Sequence, residues 1–490
     1  MFQVIRAESS DIALSKENDV AYVQGNNDTV RGGLGNDWLA TVLRAREPET
    51  ELSTTLIGGK GNDTLHAALT LDGIPYSAPE EPGSLSVLLD GGSGNDEIEA
   101  RLVSLHAEQN VTVLGGSGAD RITIEAGYDP DQYREQSDYH FGTVSVDGGV
   151  GADVIRVSME AGAATIQGGE GSDTISASSE ANTIYGGSGD DKITAGSFDQ
   201  FEWNYGGGSN SVDGGTGTDD ITLYGEVNTA HGGYGDDAIE LDASGHPDAV
   251  NTAYGDAGND VMRLRMETTG YVLGPDGKNE AHGGDGDDLM EASITFGWDE
   301  YWDVRPDGGI NLLHGDGGDD TLLASISVDH PREDADFHSE LYGGAGNDSI
   351  KASGGFDNIL WGNQGNDTLL GSGNADHLIG GADGGDDTFE FWGARGLSAK
   401  ERDRIYDFTI GEDLIDVSRI DANAFRSGNQ AFRFSGEGEW QGTGRIWVED
   451  NPDNGGSIVY ASTGRKMLAI NLLDGASVDA SDYSAGDFIL

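Results

Sequence analysis

Sixteen aspartates share one place in a recurring phrase of glycines: Asp37, Asp63, Asp96, Asp120, Asp153, Asp173, Asp191, Asp219, Asp237, Asp260, Asp288, Asp320, Asp348, Asp367, Asp376 and Asp387. The phrase is close to Gly-Gly-x-Gly-x-Asp-x-apolar, as in Gly58-Gly59-Lys60-Gly61-Asn62-Asp63-Thr64-Leu65 and Gly186-Gly187-Ser188-Gly189-Asp190-Asp191-Lys192-Ile193. Such residues offer oxygen chemistry. Glycines take positive φ and allow close backbone approach, so turn carbonyls can point inward. One carboxylate per turn plus carbonyls from stacked turns supplies the roughly six to eight oxygens that hard Ca²⁺ takes.

The elements that position these groups follow from the same phrase. Two residues after each aspartate stands an apolar side chain, from Leu39 and Leu65 to Met290 and Phe389. An x-apolar-x segment is a short strand with one inward side chain. Self-similarity of this kind marks a solenoid. The chain here resembles the RTX (repeats-in-toxin) family, which implies an all-β parallel β-roll with calcium between stacked turns. The resemblance spans residues 25–391, after an N-terminal cap at 1–24.

Spacing predicts an unequal roll. First glycines fall at 32, 58, 91, 115, 148, 168, 186, 214, 232, 255, 283, 315, 343, 362, 371 and 380, mostly 18 to 33 residues apart. Each turn then carries one good phrase and one altered half. Two residues before the first glycine lies a second inward position, such as Val30, Leu56, Ile184 and Leu341, so both sheets persist. Calcium turns occupy one edge and insertions the other. Those insertions are rich in aromatics and acids, at 128–140, 198–205 and 296–303. They could recognise a ligand or shield the roll.

Two columns accompany the inward apolar residues. On the far edge stand Asn182, Asn210, Asn228, Asn251, Asn279, Asn311 and Asn358, with Ser339 as the exception. Stacked asparagines can bond turn to turn where calcium is not used. Strict nine-residue spacing returns at Asp367 and Asp376, which predicts calcium on both edges there. The second column precedes the first glycine and points outward. It reads Tyr185, Asp213, His231, Tyr254, His282, His314, Tyr342, Trp361. Such a strip could bind a sugar chain, could do acid–base work, or could only stabilise a sheet face.

Composition agrees with a calcium-dependent fold. The 490 residues include 79 glycines, 27 basic and 88 acidic side chains, for a formal charge of −61. A chain so charged repels itself without cations. Roughly a dozen Ca²⁺ would offset about +24 of that charge. Nucleic acid and anionic membranes are unfavourable partners for what remains. No cysteine is present, which excludes disulfides. No run is long and apolar enough for a transmembrane helix.

The address is expected at the far end. Met1-Phe2-Gln3-Val4-Ile5-Arg6 leads into polar sequence without a signal-peptide core. After Phe391 the glycine phrases give way to Asp403-Arg404-Ile405-Tyr406-Asp407-Phe408 and Gly411-Glu412-Asp413-Leu414-Ile415-Asp416-Val417-Ser418. That stretch is similar to the C-terminal domain of serralysin-type proteins, placed here at 392–490. The resemblance implies a β-rich secretion domain, an extracellular destination and type I secretion machinery as a partner. The closing Asp487-Phe488-Ile489-Leu490 resembles an uncleaved signal of that system, a reading that the upstream match favours over a mere final strand.

Enzyme signatures are sparse. There is no His-Glu-x-x-His, and Asn95 breaks the Gly-x-Ser-x-Gly pattern at Ser93. Paired acids such as Asp190-Asp191 sit inside the calcium phrase. Two function classes stay open. One is a secreted calcium-binding protein that grips an extracellular polysaccharide or cell surface, with Tyr185, His231, Tyr254, His282, His314, Tyr342 and Trp361 as its ligand strip. The other is a uronate lyase or epimerase with Tyr254, His282 or His314 as acid and base. In it Arg263 and Arg265 would neutralise a carboxylate beside the abstracted proton, provided that they share a face with the histidines.

Overall fold

Glycines set the corners of the chain. Gly59 and Gly61 lie at φ +112° and +126°, where a side chain would be strained. A Cβ on Gly59 would stand 2.4 Å from the carbonyl oxygen of Gly33 in the preceding turn. Backbone therefore stacks directly on backbone at this edge, and the flanking residues extend as strands.

The computed structural model describes residues 2–5, 11–47, 50–71, 83–104, 107–127, 142–160, 162–196, 208–245, 249–269, 276–297, 308–329, 335–381, 384–393, 402–438, 442–452, 455–474 and 478–490. The insertions at 128–140 and 198–205, and 298–303 of the third, lie outside them. The chain divides into two compact units, Met1–Ala238 and Ile239–Leu490.

In the first unit, strands pair in parallel with the next-but-one strand, not with their chain neighbours. Trp38–Ala45 pairs with Thr64–Leu71, and that strand with Glu97–Ser104. The series runs on through Arg121–Gly127, Val154–Met159, Thr174–Ser178 and Lys192–Gly196 to Asp220–Tyr224. Strands entering the phrases make a second parallel sheet, from Asp28–Leu34 and Glu51–Lys60 to Ser209–Thr216 and Val227–Tyr234. The chain alternates between the sheets, which is a parallel β-roll.

Alternation along each strand builds the core between the sheets. Leu65, Ala67 and Leu69 are buried while His66, Ala68 and Thr70 are not. Inward residues such as Leu39, Ile98 and Ile122 from one sheet and Val30, Leu56 and Leu89 from the other are at most 1% exposed. Each such side chain contributes about 1.5–3 kcal/mol on burial.

The second unit repeats the scheme and then modifies it. One parallel sheet runs from Val261–Thr269 through Leu289–Gly297, Thr321–Val328, Ser349–Gly354, Thr368–Leu370 and Thr388–Glu390 to Leu414–Asp416. The other runs from Val250–Ala257 and Asp276–Asp285 through Gly308–Gly317, Asp336–Ala345, Ile359–Gln364 and His377–Ile379 to Asp403–Ile405. Where the second sheet turns only Ala253 and Ala281 inward, the same turns carry Met262 and Met290 in the first. That pairing of small with large keeps the core volume per turn similar. Antiparallel strands Arg445–Asp450, Ser457–Ser462 and Met467–Leu472 follow, and the last joins the roll beside Asp403–Ile405. Phe488–Ile489 pairs with Leu414–Asp416 as a final parallel strand. Among the described residues no helix is long and apolar enough to cross a membrane.

Parallel pairing extends past both expected roll boundaries, residues 25 and 391. Val20–Val23 already pairs with Trp38–Ala45, and Leu414–Asp416 still pairs with Thr388–Glu390. A rung needs an inward apolar residue and a backbone ladder; it does not need a full glycine phrase.

The far edge is sealed by amides. In the first unit Asn182 Nδ2 donates to Asn210 Oδ1 at 2.8 Å, and Asn210 Nδ2 to Asn228 Oδ1 at 2.8 Å. In the second, Asn251 donates to Asn279 and Asn279 to Asn311, each at 2.9 Å. The same amides donate to the backbone: Asn279 Nδ2 reaches the Ser293 carbonyl at 3.2 Å. All of these asparagines are buried. Asn279→Ala should therefore lower stability by about 1–3 kcal/mol, the cost of leaving buried partners unpaired. Urea denaturation in saturating calcium measures it, and an unchanged midpoint would show that the column carries no load.

Candidate functional site

The aspartates form a hydrogen-bonded column in each unit. In the first, the backbone N–H of Asp37 donates to Asp63 Oδ1 at 2.7 Å, and that of Asp63 to Asp96 Oδ1 at 2.6 Å. The pattern repeats through Asp120, Asp153, Asp173, Asp191 and Asp219 to Asp237. In the second unit it links Asp260, Asp288, Asp320, Asp348, Asp367 and Asp387. One carboxylate oxygen per residue thus orders the backbone of the previous turn.

The other oxygen has a different task. Oδ2 of Asp37, Asp63, Asp96, Asp120, Asp153, Asp173, Asp191, Asp219, Asp288, Asp320 and Asp348 is buried without a hydrogen-bond partner. Its surroundings are shown by the first glycine of the phrase. A Cβ on Gly58 would lie 2.4 Å from Asp63 Oδ2 and 2.6 Å from the Gly91 carbonyl oxygen. At Gly283 the corresponding distances are 2.2 Å to Asp288 Oδ2 and 2.5 Å to the Gly315 carbonyl. A carboxylate oxygen and a next-turn carbonyl converge in the same way beside the first glycines from Gly32 to Gly214 and from Gly255 to Gly362, whereas at Gly371 and Gly380 only the carboxylate is near. Only oxygens are offered, and a hard cation fits that donor set. Asp63 Oδ2 with the Gly91 carbonyl, and Asp288 Oδ2 with the Gly315 carbonyl, are the atoms that would hold calcium. Among the described residues no three His, Asp or Glu side chains cluster around one metal position.

Burial makes these carboxylates hard to ionise. Desolvation is the main cause, reinforced by neighbouring aspartates in the column and opposed by the backbone N–H bonds. It pushes Asp63 and Asp173 up to about 6, and Asp120, Asp191, Asp288 and Asp348 up to about 7. A bound divalent ion supplies the positive charge that stabilises the ionised column.

Fifteen of the sixteen predicted aspartates stand in the two columns described; Asp376 does not. It lies on the asparagine edge, where Asn358 N–H donates to Asp376 Oδ1 at 3.2 Å and Asp376 N–H to Asp403 Oδ1 at 3.0 Å. Three ladder members escaped the glycine pattern. Asp19 N–H donates to Asp37 Oδ1 at 2.7 Å, and Asp19 Oδ2 accepts from Ser15 N–H at 2.8 Å. Asp413 Oδ1 accepts from Asp387 N–H at 3.0 Å, and Asp403 extends the far edge. Their signal was an apolar residue two positions on (Ala21, Ile405, Ile415) without the glycines. An outer ladder was also missed: Asn62 N–H donates to Asn36 Oδ1 at 3.0 Å, and Asp319 N–H to Asp287 Oδ1 at 2.8 Å.

The outward strip is an ordered ring stack in the second unit. Ring centroids are 5.1 Å apart for Tyr254–His282, 4.7 Å for His282–His314 and 4.8 Å for His314–Tyr342, with planes within 9° of parallel. Trp361 follows at 6.2 Å and 31°. The faces are spent on one another, so ring edges meet solvent. His282 Nε2 lies 3.5 Å from Glu280 and Nδ1 3.9 Å from Asp316. Tyr342 donates its hydroxyl to Glu340 Oε2 at 3.1 Å. Burial, then the neighbouring His282, lowers the His314 pKa. In the first unit Tyr185 and His231 share the corresponding position, with Asp213 between them.

The arginine candidates are elsewhere. Arg263 and Arg265 lie on Val261–Thr269, whose sheet does not contain the histidine strands. Arg263 pairs with Glu291 at 2.9 Å and Arg265 with Glu267 at 2.8 Å. Candidate acid–base and carboxylate-neutralising groups are therefore not brought together.

Residues 12–39, 51–68 and 162–199 match the RTX calcium-binding nonapeptide repeat (4 copies). Residues 308–454 match the peptidase M10 serralysin C terminal. No curated protein matches the chain. A similar solved structure is the solution structure of the R3 subunit of a mannuronan C5-epimerase from Azotobacter vinelandii. It is 30% identical over 31% of this chain and 78% of that one, with a TM-score of 0.23.

Asp288→Asn keeps the shape and the acceptor for Asp260 N–H but removes one charge from the column. Calcium stoichiometry, measured by flow dialysis, should fall by about one or two ions, since an ion held by Asp288 would sit between two turns and share their oxygens. Unchanged stoichiometry and affinity would count against ligation by Asp288.

Proposed function

We propose that this RTX calcium-binding repeat protein, with its serralysin-type C-terminal region, leaves the cell unfolded, folds on calcium outside, and binds an extracellular polysaccharide through the strip from Tyr254 to Trp361. Its repeats and C-terminal region are those of type I secreted, extracellular calcium-binding proteins. Export without cleavage of the C-terminal signal belongs to the proposal. So does calcium ligation by the aspartate columns.

One observation carries the binding reading: a stack of four near-parallel rings presents its edges outward at intervals of 4.7 to 5.1 Å. That repeat is comparable with the rise of one sugar residue in an extended chain. Imidazole nitrogens and phenol hydroxyls donate or accept along the row, so the strip is suited to hydroxyl-rich polymers by hydrogen bonding. Stacking of sugars on ring faces is not the mode, because those faces are occupied. Binding is favoured over lyase or epimerase chemistry because Arg263 and Arg265 stand on the other sheet, each already paired with a glutamate.

Changing Tyr254, His282, His314 and Tyr342 together to serine should abolish retention on immobilised polysaccharides while calcium-induced folding survives. Stability should drop by only about 0.2–1 kcal/mol per lost cross-strand pair. Affinity electrophoresis against a polysaccharide panel, run beside circular dichroism, separates the two effects. Retention by a folded quadruple variant would sink the strip as the binding surface.

A further inference from the structure

A cavity of 280 Å³ opens in the second unit, away from the ring strip. Lys351, Ser353, Ser372, Asn374, Glu390 and Trp392 contribute to its wall, with Asp403 also lining it. Its size is near the lower end of small-molecule sites, about 300–1,000 Å³.

The charges around it are unusual for this chain. Lys351 Nζ and the Arg419 guanidinium carbon each lie 4.4 Å from the centre of the Trp392 ring. Neither cation has a carboxylate within ion-pair distance among the described residues, although acids outnumber bases 88 to 27. The carboxylates at the cavity are already engaged. Glu390 Oε2 accepts the indole N–H of Trp392 at 2.9 Å, and Asp403 Oδ1 accepts the Asp376 N–H at 3.0 Å. Two cations thus converge on an aromatic wall beside hydroxyl and amide groups, with no anion among the described residues assigned to them.

We propose that this cavity binds a small hydroxylated carboxylate, the size of one sugar acid, with its carboxylate at Lys351 and its hydroxyls against Ser353, Ser372 and Asn374. The volume admits about one ring, and the unpaired cations select a single negative charge. A polyanion is disfavoured because the repulsion from a net charge of −61 grows with ligand charge. A free acid or an acidic residue at a chain end presents the same chemistry.

Isothermal titration calorimetry of the calcium-loaded full chain tests this with galacturonate, galactose and a short neutral galactose oligomer that ends in a single galacturonate. Galacturonate or the oligomer should bind at least about ten-fold more tightly than galactose, the scale of one charge-assisted contact. Binding of the free acid identifies the small molecule as ligand; binding of the oligomer alone identifies a chain end. Lys351→Gln should remove the preference for the acid by about ten-fold, with Arg419→Gln as a second variant and calcium-induced folding checked for both. Equal affinity for galactose, no binding of either acid, or no effect of both substitutions would overturn the proposal. The strip variants leave this cavity intact, so either reading can fail without the other.

Discussion

Like charges one rung apart in a buried column are the constraint on which the rest of this molecule depends. At a strand spacing of about 4.8 Å, two carboxylates repel by roughly 3 kcal/mol at an effective dielectric of about 20. Nine aspartates line the column from Asp37 to Asp237. Summed over a column, that repulsion exceeds the roughly 5–15 kcal/mol by which folded proteins are stable. The strands, their inward apolar residues and the backbone ladder cannot absorb such a cost. The column must be neutralised, either by protons or by cations placed between the turns. Because Oδ1 is committed to the backbone and Oδ2 faces a carbonyl of the next turn, the fold has already oriented oxygens for the second solution.

The two edges solve the same stacking problem in opposite ways. On the aspartate edge each turn offers a carboxylate and tight glycine backbone, so insertions there would break the column. On the far edge Asn182, Asn210 and Asn228, or Asn251, Asn279 and Asn311, satisfy the backbone with neutral amides. No ion is needed to close that edge, and no second charged column adds to the first. Long insertions are tolerated where amides do the sealing. Carboxylates stand on the far edge toward the ends of the roll, at Asp28 near its start and at Asp376 and Asp403 near its close.

Much of this was legible in the sequence, for identifiable reasons. The nine-residue phrase fixes both the corner and the following inward residue, so the two sheets and the register follow from counting in twos. The asparagine column was readable because an amide stood where a good phrase has aspartate. Asp19 and Asp413 were missed because their turns are closed by other donors, Ser15 at Asp19 and Thr409 at Asp413, and Asp403 because no glycine phrase precedes it. Parity along the strand placed Tyr254, His282, His314 and Tyr342 on an outer face, but parity is silent about χ angles. Whether rings offer faces or edges is decided by packing between neighbouring turns. The separation of Arg263 and Arg265 from the histidines was decided by which sheet each strand joins. The cavity at Trp392 was invisible, because its wall is drawn from segments far apart in sequence.

Far-ultraviolet circular dichroism of the full chain, stripped of metal with EGTA at neutral pH and then titrated with calcium, tests the central constraint most directly. Little β-signal is expected in EGTA, followed by a cooperative rise at calcium concentrations of about 0.1–1 mM, typical of extracellular sites. A full β-spectrum in EGTA at neutral pH would contradict a fold that depends on cations to neutralise its aspartate columns.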